Sequence, residues 1–449
     1  MSTILKNGQV VLEDRTVKTD IRIEGGRIRA LGDLSAGAGD RVIDATGRWV
    51  LPGFIDVHTH LDDRIGEYTL ADDYTSGTRC AIINGITTLA AFVTETHNEP
   101  LDAAVHRATQ KASGRCFCDY WWHLTPIRFD ASGWMIIRAL VKRGFRSWKL
   151  YTTYREAGLY LDYDRMGGIF EELADEHIQF LVHCEDASTL AAVHLTDDEW
   201  GRATAHARSR PASAEVIAVR EVLDRAEAAR VRVHIVHVST AEAADAIDAA
   251  RERVQVTCET APHYLFLDES QLAPTDGHRW ICSPPLRPKA VREALIHRAL
   301  GGSIDLFATD HCAFLRGDKD AMDRGIRSVP KGLPGIGALP HMIRALYADR
   351  LPGRFVDFAR KLSTHPARLL GVYPRKGVIA LGADADLAVV SLDGPPRPVR
   401  SSLADVHETY PGVTSRLSVD HVLLRGEHVV REGGLVDADH PKGMSLWPI

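Results

Sequence analysis

What this chain of 449 residues lacks narrows its function first. No uninterrupted apolar run is long enough to cross a bilayer. The opening Met1-Ser-Thr-Ile-Leu-Lys-Asn-Gly8 has no signal-peptide core, so a cytoplasmic protein is expected. There is no basic block or stripe. The 54 basic residues stand against 60 acidic ones, a net charge of −6, so neither nucleic acid nor a membrane surface is an expected partner. Cysteine is sparse and odd in number. The seven thiols, at positions 80, 116, 118, 184, 258, 282 and 312, lie scattered through apolar segments and read as buried and reduced. Cys116-Phe-Cys118 has no second pair to complete a metal site and reads as packing. Internal repeats and low-complexity tracts are missing as well. What is there, 45% hydrophobic and 25% charged residues, describes a soluble globular chain with one large domain and a smaller one.

The first fifty residues read as short strands joined by tight turns at Gly8, Gly25-Gly26 and Gly32. From Phe54 the text changes. Apolar strand-like runs near 54–57, 86–93, 116–124, 145–151, 179–183, 232–238, 254–258 and 304–309 alternate with helical stretches near 71–84, 101–112, 134–143, 163–177, 212–229, 241–251 and 289–300. Eight such strands predict a closed (β/α)8 barrel. An open doubly wound sheet is the competitor, but no Gly-rich nucleotide loop follows the first strand. After Leu370 the chain returns to β-like text. Gly377 to Val390 reads as two short strands about an acidic turn, and 419–425 with 428–431 as a hairpin through Gly426. The expected domains are therefore a barrel over 52–373 and a small β-sandwich made from 1–51 and 374–449, because chain termini often lie close together. Residues 437–449 read as an extended tail.

The functional signal is what ends the strands. In a barrel the active site lies at the C-terminal strand ends. The first strand runs into His58-Thr-His60, two imidazoles that share one side of a strand. The fourth ends at Lys149, the fifth at His183, the sixth at His237 and the eighth at Asp310. A polar group after an apolar run is costly near a core unless it has work there. A lone His-x-His is weak among 21 histidines, but six such groups at one mouth form a specific pattern. Neutral imidazoles and a carboxylate suit zinc or a similar borderline ion. A lysine among them makes sense if burial deprotonates it and it is then modified.

These residues, together with Pro52-Gly-Phe-Ile-Asp-Val-His-Thr-His-Leu61, Cys258-Glu-Thr-Ala-Pro-His-Tyr264, Ser283-Pro-Pro-Leu-Arg287, Thr309-Asp-His-Cys312 and His365-Pro-Ala-Arg368, give the chain a resemblance to the amidohydrolase superfamily. It most resembles the cyclic-amidase branch of hydantoinases, dihydropyrimidinases, allantoinases and dihydroorotases, over nearly its whole length. The resemblance implies that Lys149 is carboxylated by CO2 and bridges two divalent ions, zinc first and manganese or cobalt as alternatives. One ion would lie on His58, His60, Lys149 and Asp310, the other on Lys149, His183 and His237. It implies Asp310 as the proton carrier and Tyr154 as the oxyanion donor. Ser283 and the position of Lys331 would hold the ring amide, with Lys331 standing where relatives carry Asn. A homo-oligomer, tetramer or dimer, is implied too, with a C-terminal tail that often reaches a neighbour.

The expected reaction is opening of a small cyclic amide, a 5-substituted hydantoin or a dihydropyrimidine, to the N-carbamoyl amino acid. Allantoinase is the nearest alternative, and Lys331 could mark a more polar substrate. Dihydroorotase is disfavoured, since Asp62-Asp63 stands where those enzymes usually carry an arginine and would repel a substrate carboxylate. A single-metal deaminase would not need Lys149. A non-catalytic scaffold of the dihydropyrimidinase type would have lost ligand positions, and none is missing here. Loops around Ile65–Tyr68, Thr125–Phe129 and Leu159–Tyr160 are expected to sort the exocyclic group.

Overall fold

Eight apolar segments form the parallel strands of a barrel: Phe54–His60, Ile86–Thr94, Asp119–Thr125, Ser147–Tyr151, Gln179–His183, Arg232–Ile235, Val256–Thr260 and Leu306–Phe307. The computed structural model describes residues 2–322 and 325–447, apart from the side chains of 349 and 352. Each strand pairs with its neighbour in sequence. Their residues are almost all buried, as expected where helices cover one face and the barrel core the other. The circle closes through a broken last strand. Leu306–Phe307 pairs with the seventh strand, and three residues later His311–Cys312 pairs with the first.

Helices return the chain between strands. Tyr74–Ile83 starts on a reciprocal cap between Asp73 and Ser76, while Asp130, Asp162 and Thr240 cap the helices that follow them. Helix Ala212–Ala229 buries Ala214, Ala218, Val222 and Ala226, a stripe at helical spacing. Among the described residues no helix is long and apolar enough to cross a membrane.

Both ends of the chain meet in one mixed sheet of nine strands. The N-terminal segments Thr3–Val11, Thr16–Glu24, Arg27–Gly32, Arg41–Asp44 and Trp49–Pro52 join the C-terminal Leu387–Ser391, Ser418–Leu424, Glu427–Arg431 and Gly434–Leu435. The seam is the antiparallel pairing of Trp49–Pro52 with Leu387–Ser391. Leu5, Val10, Ile21, Ile43, Leu387 and Leu423 share its core. One expected strand is not there. Residues 377–386 make only an isolated bridge, Asp384 to Arg27, because Gly377 (φ 78°) and Gly382 (φ 87°) turn the chain twice.

The tail is extended, and residues 443–447 lie along the start of this chain's own third barrel strand. Tyr120 N donates to Met444 O at 3.0 Å, Leu446 N to Tyr120 O at 3.0 Å, and the Trp447 ring lies 3.6 Å from that of Trp121.

A buried ion cluster joins barrel, sheet and tail. Asp119, which opens the third strand, receives Lys376 Nζ at 2.7 Å, Met444 N at 3.0 Å and the Arg425 guanidinium. Lys376 also meets Asp386, which accepts from Arg425 N at 2.6 Å. Removing one partner of such a cluster strands the others in a low-dielectric interior. Asp119→Ala is expected to cost about 3–5 kcal/mol, read as a lower urea midpoint; a loss below about 1 kcal/mol would show that the cluster does not bind the two units together.

Candidate metal centre

The end of the first strand places His58 and His60 side by side, their ring centroids 5.6 Å apart. Asp310 Oδ1 lies 3.1 Å from His58 Nε2 and 3.6 Å from His60 Nε2. These three side chains converge closely enough to hold a metal ion, with all ligand atoms within 4.8 Å of one another. Behind His58, its Nδ1 pairs with Glu259, whose other oxygen sits 3.1 Å from His234 Nε2. That pairing turns His58 Nε2 toward Asp310, the usual arrangement for an imidazole ligand braced by a carboxylate. Burial works to raise the Asp310 carboxyl, but His58 and His60 hold it well below the ordinary range.

Opposite stand His183 and His237. His183 Nδ1 faces His237 Nε2 at 2.9 Å, with ring centroids 4.6 Å apart. Burial drives both imidazoles toward the neutral, ligating form. His183 is braced from behind, its Nε2 lying 2.7 Å from Glu185 Oε2. His237 Nδ1 is buried without a partner among the described residues. The two histidine sets adjoin, His58 and His237 having ring centroids 5.4 Å apart. Neutral imidazoles of this kind are donors that a borderline cation accepts.

Lys149 is 1% exposed. Its ammonium lies over Phe92 at 5.0 Å and Tyr151 at 5.2 Å. Burial pushes it down to about 8, and its charge acts on His58, His60, His183 and His237 alike.

Asp310 reaches the histidines because the last strand breaks at it. Its φ is 49°, in the left-handed region. Asp56 holds the break: it accepts from Thr309 N at 3.1 Å, Thr309 Oγ1 at 2.6 Å and His58 N at 3.3 Å.

The remaining expected residues line the same mouth. Tyr154, also left-handed at φ 69°, sets its ring 5.1 Å from His183. Burial pushes its phenol up, against the pull of the Arg210 charge. Ser283 faces that phenol and lies 3.3 Å from His206 Nε2. Lys331 begins a segment that runs beside the broken strand, where Cys312 N donates to Leu333 O at 2.9 Å. Its side chain is exposed, but the protein around it and the nearby Arg210 lower its hold on a proton.

Two points differ from the sequence reading. Asp62 does not present free charge to the mouth: its carboxylate lies 2.7 Å from Lys111 Nζ and 3.6 Å from Arg115. The part of the expected repulsion that rested on Asp62 therefore loses its physical basis, while Asp63 remains and an arginine at this point is still missing. Second, the braces Glu185, Glu259, Asp56 and Arg210 escaped notice. Glu259 carried a usable signal, an acid inside an apolar strand, which is tolerated only when paired. The loops expected to sort an exocyclic group are well tied. Glu95 Oε2 accepts from Ile127 N at 2.8 Å and Arg128 N at 3.0 Å, and Arg155 stacks 3.6 Å from the Tyr160 ring centre. Residues 323–324, in the run from Phe314 to Gly325 that follows Asp310, lie outside the described residues.

The model of the amidohydrolase family matches residues 49–429. The chain belongs to that family. It is 30% identical over 448 residues to a D-hydantoinase from Ralstonia pickettii, covering 97% of this chain and 96% of the relative. A D-phenylhydantoinase from Escherichia coli is 32% identical over 452 residues, covering 96% and 95%. The crystal structure of dihydropyrimidinase from Brevibacillus agri superposes with a TM-score of 0.92 at 29% identity, covering 99% of this chain and 98% of that one.

The bracing carboxylates generate a test. Glu259→Gln removes the charge behind His58 and is expected to weaken metal retention about 10- to 100-fold. Competition with a chelator measures it, and unchanged retention would mean that His58 holds no metal.

Proposed function

We propose that this chain hydrolyses a small cyclic amide, a 5-substituted hydantoin or a dihydropyrimidine, to the N-carbamoyl amino acid. The observation that carries the reading is the convergence of four imidazoles, one carboxylate and one buried lysine at a single barrel mouth. The near-full-length similarity to hydantoinases supports it.

His58, His60, Asp310 and carboxylated Lys149 would hold one divalent ion, and the same carbamate with His183 and His237 the other. Zinc suits these donors best, with manganese or cobalt as substitutes. When bound, such a pair supplies Lewis acidity and a water that ionises near neutral pH. The protein's own groups do the rest. Ser283 and the segment at Lys331 hold the ring amide. Tyr154 donates its hydroxyl to the carbonyl oxygen as negative charge gathers there. Asp310 takes the proton of the attacking water and delivers it to the departing ring nitrogen. The C–N bond then breaks, leaving a carboxylate and a ureido group. Lys331 favours one second reading, a more polar ring such as allantoin, because it brings a cation to a mouth already carrying Arg210.

The direct test offers dihydrouracil, 5-substituted hydantoins, allantoin and dihydroorotate to protein reconstituted with zinc or manganese and bicarbonate. Ring opening of hydantoins or dihydrouracil is expected; turnover of allantoin alone would move the assignment to the second reading, and no turnover with no metal bound would end it. Tyr154→Phe is expected to lower kcat about 10²- to 10³-fold.

Lys149 gives a pH prediction. Only the neutral amine bonds to the carbon of CO2, releasing a proton as the carbamate forms. With the ammonium near 8, the neutral fraction grows as pH rises through that value. At fixed dissolved CO2, activation of metal-free protein by metal and CO2 should be about tenfold faster at pH 9 than at pH 7. Equal rates would remove Lys149 from the activation step.

A further inference from the structure

Arg210 is a charged group of the mouth that the proposed chemistry leaves unused. It comes from the turn before helix Ala212–Ala229 and not from a barrel strand. Its Nε lies 3.0 and 3.2 Å from the two Glu185 oxygens, and its Nη2 lies 2.5 Å from Oε2. That same Oε2 is the atom 2.7 Å from His183 Nε2. The guanidinium carbon also lies 5.3 Å from the centre of the Tyr154 ring. One planar cation therefore touches both the acid that orients His183 and the face of Tyr154.

Arg210 is itself anchored. Its carbonyl accepts from Arg287 Nη1 at 2.6 Å, and Arg287 Nε donates to Ser239 Oγ at 2.9 Å. Ser239 in turn donates to Glu215 through N at 2.7 Å and Oγ at 2.9 Å. Tyr154 needs such a hold. A tyrosine at φ 69° occupies a region that persists only where its surroundings impose it. Lysine could supply the charge but neither the two-pronged grip on Glu185 nor the flat face for the ring.

We propose that Arg210 is a positioning residue that fixes Tyr154 and His183 relative to each other, through the face of its guanidinium on one side and Glu185 on the other. The Tyr154 arm rests on the ring-opening reading; the His183 arm does not.

The test is a double-mutant cycle at saturating metal with a neutral hydantoin. Arg210→Met is expected to lower kcat about 10- to 100-fold while KM changes less than about threefold. In a Tyr154→Phe background the same substitution should cost less than about threefold, because the group it positions is gone. Costs that simply multiply would overturn the Tyr154 arm. Chelator competition reads the other arm without any turnover. Arg210→Met should release one of the two metal ions about tenfold more readily, and unchanged release of both would overturn it. Arg210→Lys, which keeps the charge, serves if the methionine variant does not fold, and the same coupling is expected from it. If the unmodified protein binds metal but opens no ring, the ring-opening reading fails while the metal measurement still decides the His183 arm.

Discussion

The last barrel strand cannot run straight through Asp310, and the rest of the site depends on that break. A continuous strand would send Asp310 along the ladder between the seventh strand and the first. Instead Leu306–Phe307 serves one neighbour and His311–Cys312 the other, and the chain turns at a left-handed aspartate between them. Such a conformation persists only when it is over-determined. Asp56 does this from the first strand, two residues before His58, by gripping both the backbone and the hydroxyl of Thr309. Burial pushes the Asp56 carboxyl up to about 6, so the grip is bought against desolvation. Further along, Gly335 N donates to His311 Nδ1 at 3.0 Å and fixes the other side of the break. The carboxylate that faces His58 and His60 is thus placed by the same strand that carries those histidines.

The carboxylates that touch the histidine rings are arranged in pairs. Glu259 lies between His58 and His234, Glu185 between His183 and Arg210, and Asp310 between His58 and His60. Each carboxylate has a cation or a ring nitrogen at hand, as a buried charge requires. Lys149 has aromatic faces instead. An ammonium over Phe92 and Tyr151 gains from the ring quadrupoles but keeps much of its desolvation cost. The residue whose charge acts on all four histidines is therefore also one that gains by losing its proton. Conversion to a carbamate would turn that mismatch into an anion among metal ligands.

Much of the fold and of the site could be read from the chain because parallel barrel strands are buried on both faces and so appear as plain apolar runs. His58, His60, Lys149, His183, His237 and Asp310 stood out because each interrupts or ends such a run. The braces were harder to see. Arg210 sits in an irregular turn, where no periodicity singles it out, and its partner Glu185 follows His183 just past the strand end. Asp62 misled for a related reason. Its charge is plain in the sequence, but Lys111 and Arg115, which neutralise it, lie some fifty residues away at the end of helix Leu101–Ala112 and just beyond it. The missing strand near Gly377 failed on backbone grounds, since an apolar run interrupted by two left-handed glycines cannot stay extended.

In the proposed reading, the metal centre and the groups that meet the ring draw on different parts of this molecule. The imidazoles, Lys149 and Asp310 are fixed by strand ends and by buried carboxylates, so the barrel itself specifies them. Tyr154, Ser283 and Lys331 stand on loops and turns. Loops change more readily than the scaffold that carries them. A family built this way can keep one hydrolytic centre and exchange rings by altering the rim. Lys331 and the neutralised Asp62 are where this chain's rim reads differently from a purely apolar ring site. Asp62 is engaged by Lys111 and Arg115, and Asp63 beside it, whose carboxyl burial pushes up, accepts from Arg64 N at 2.9 Å. Arg210 then belongs to both halves, a loop residue that grips the scaffold through Glu185 and the rim through Tyr154.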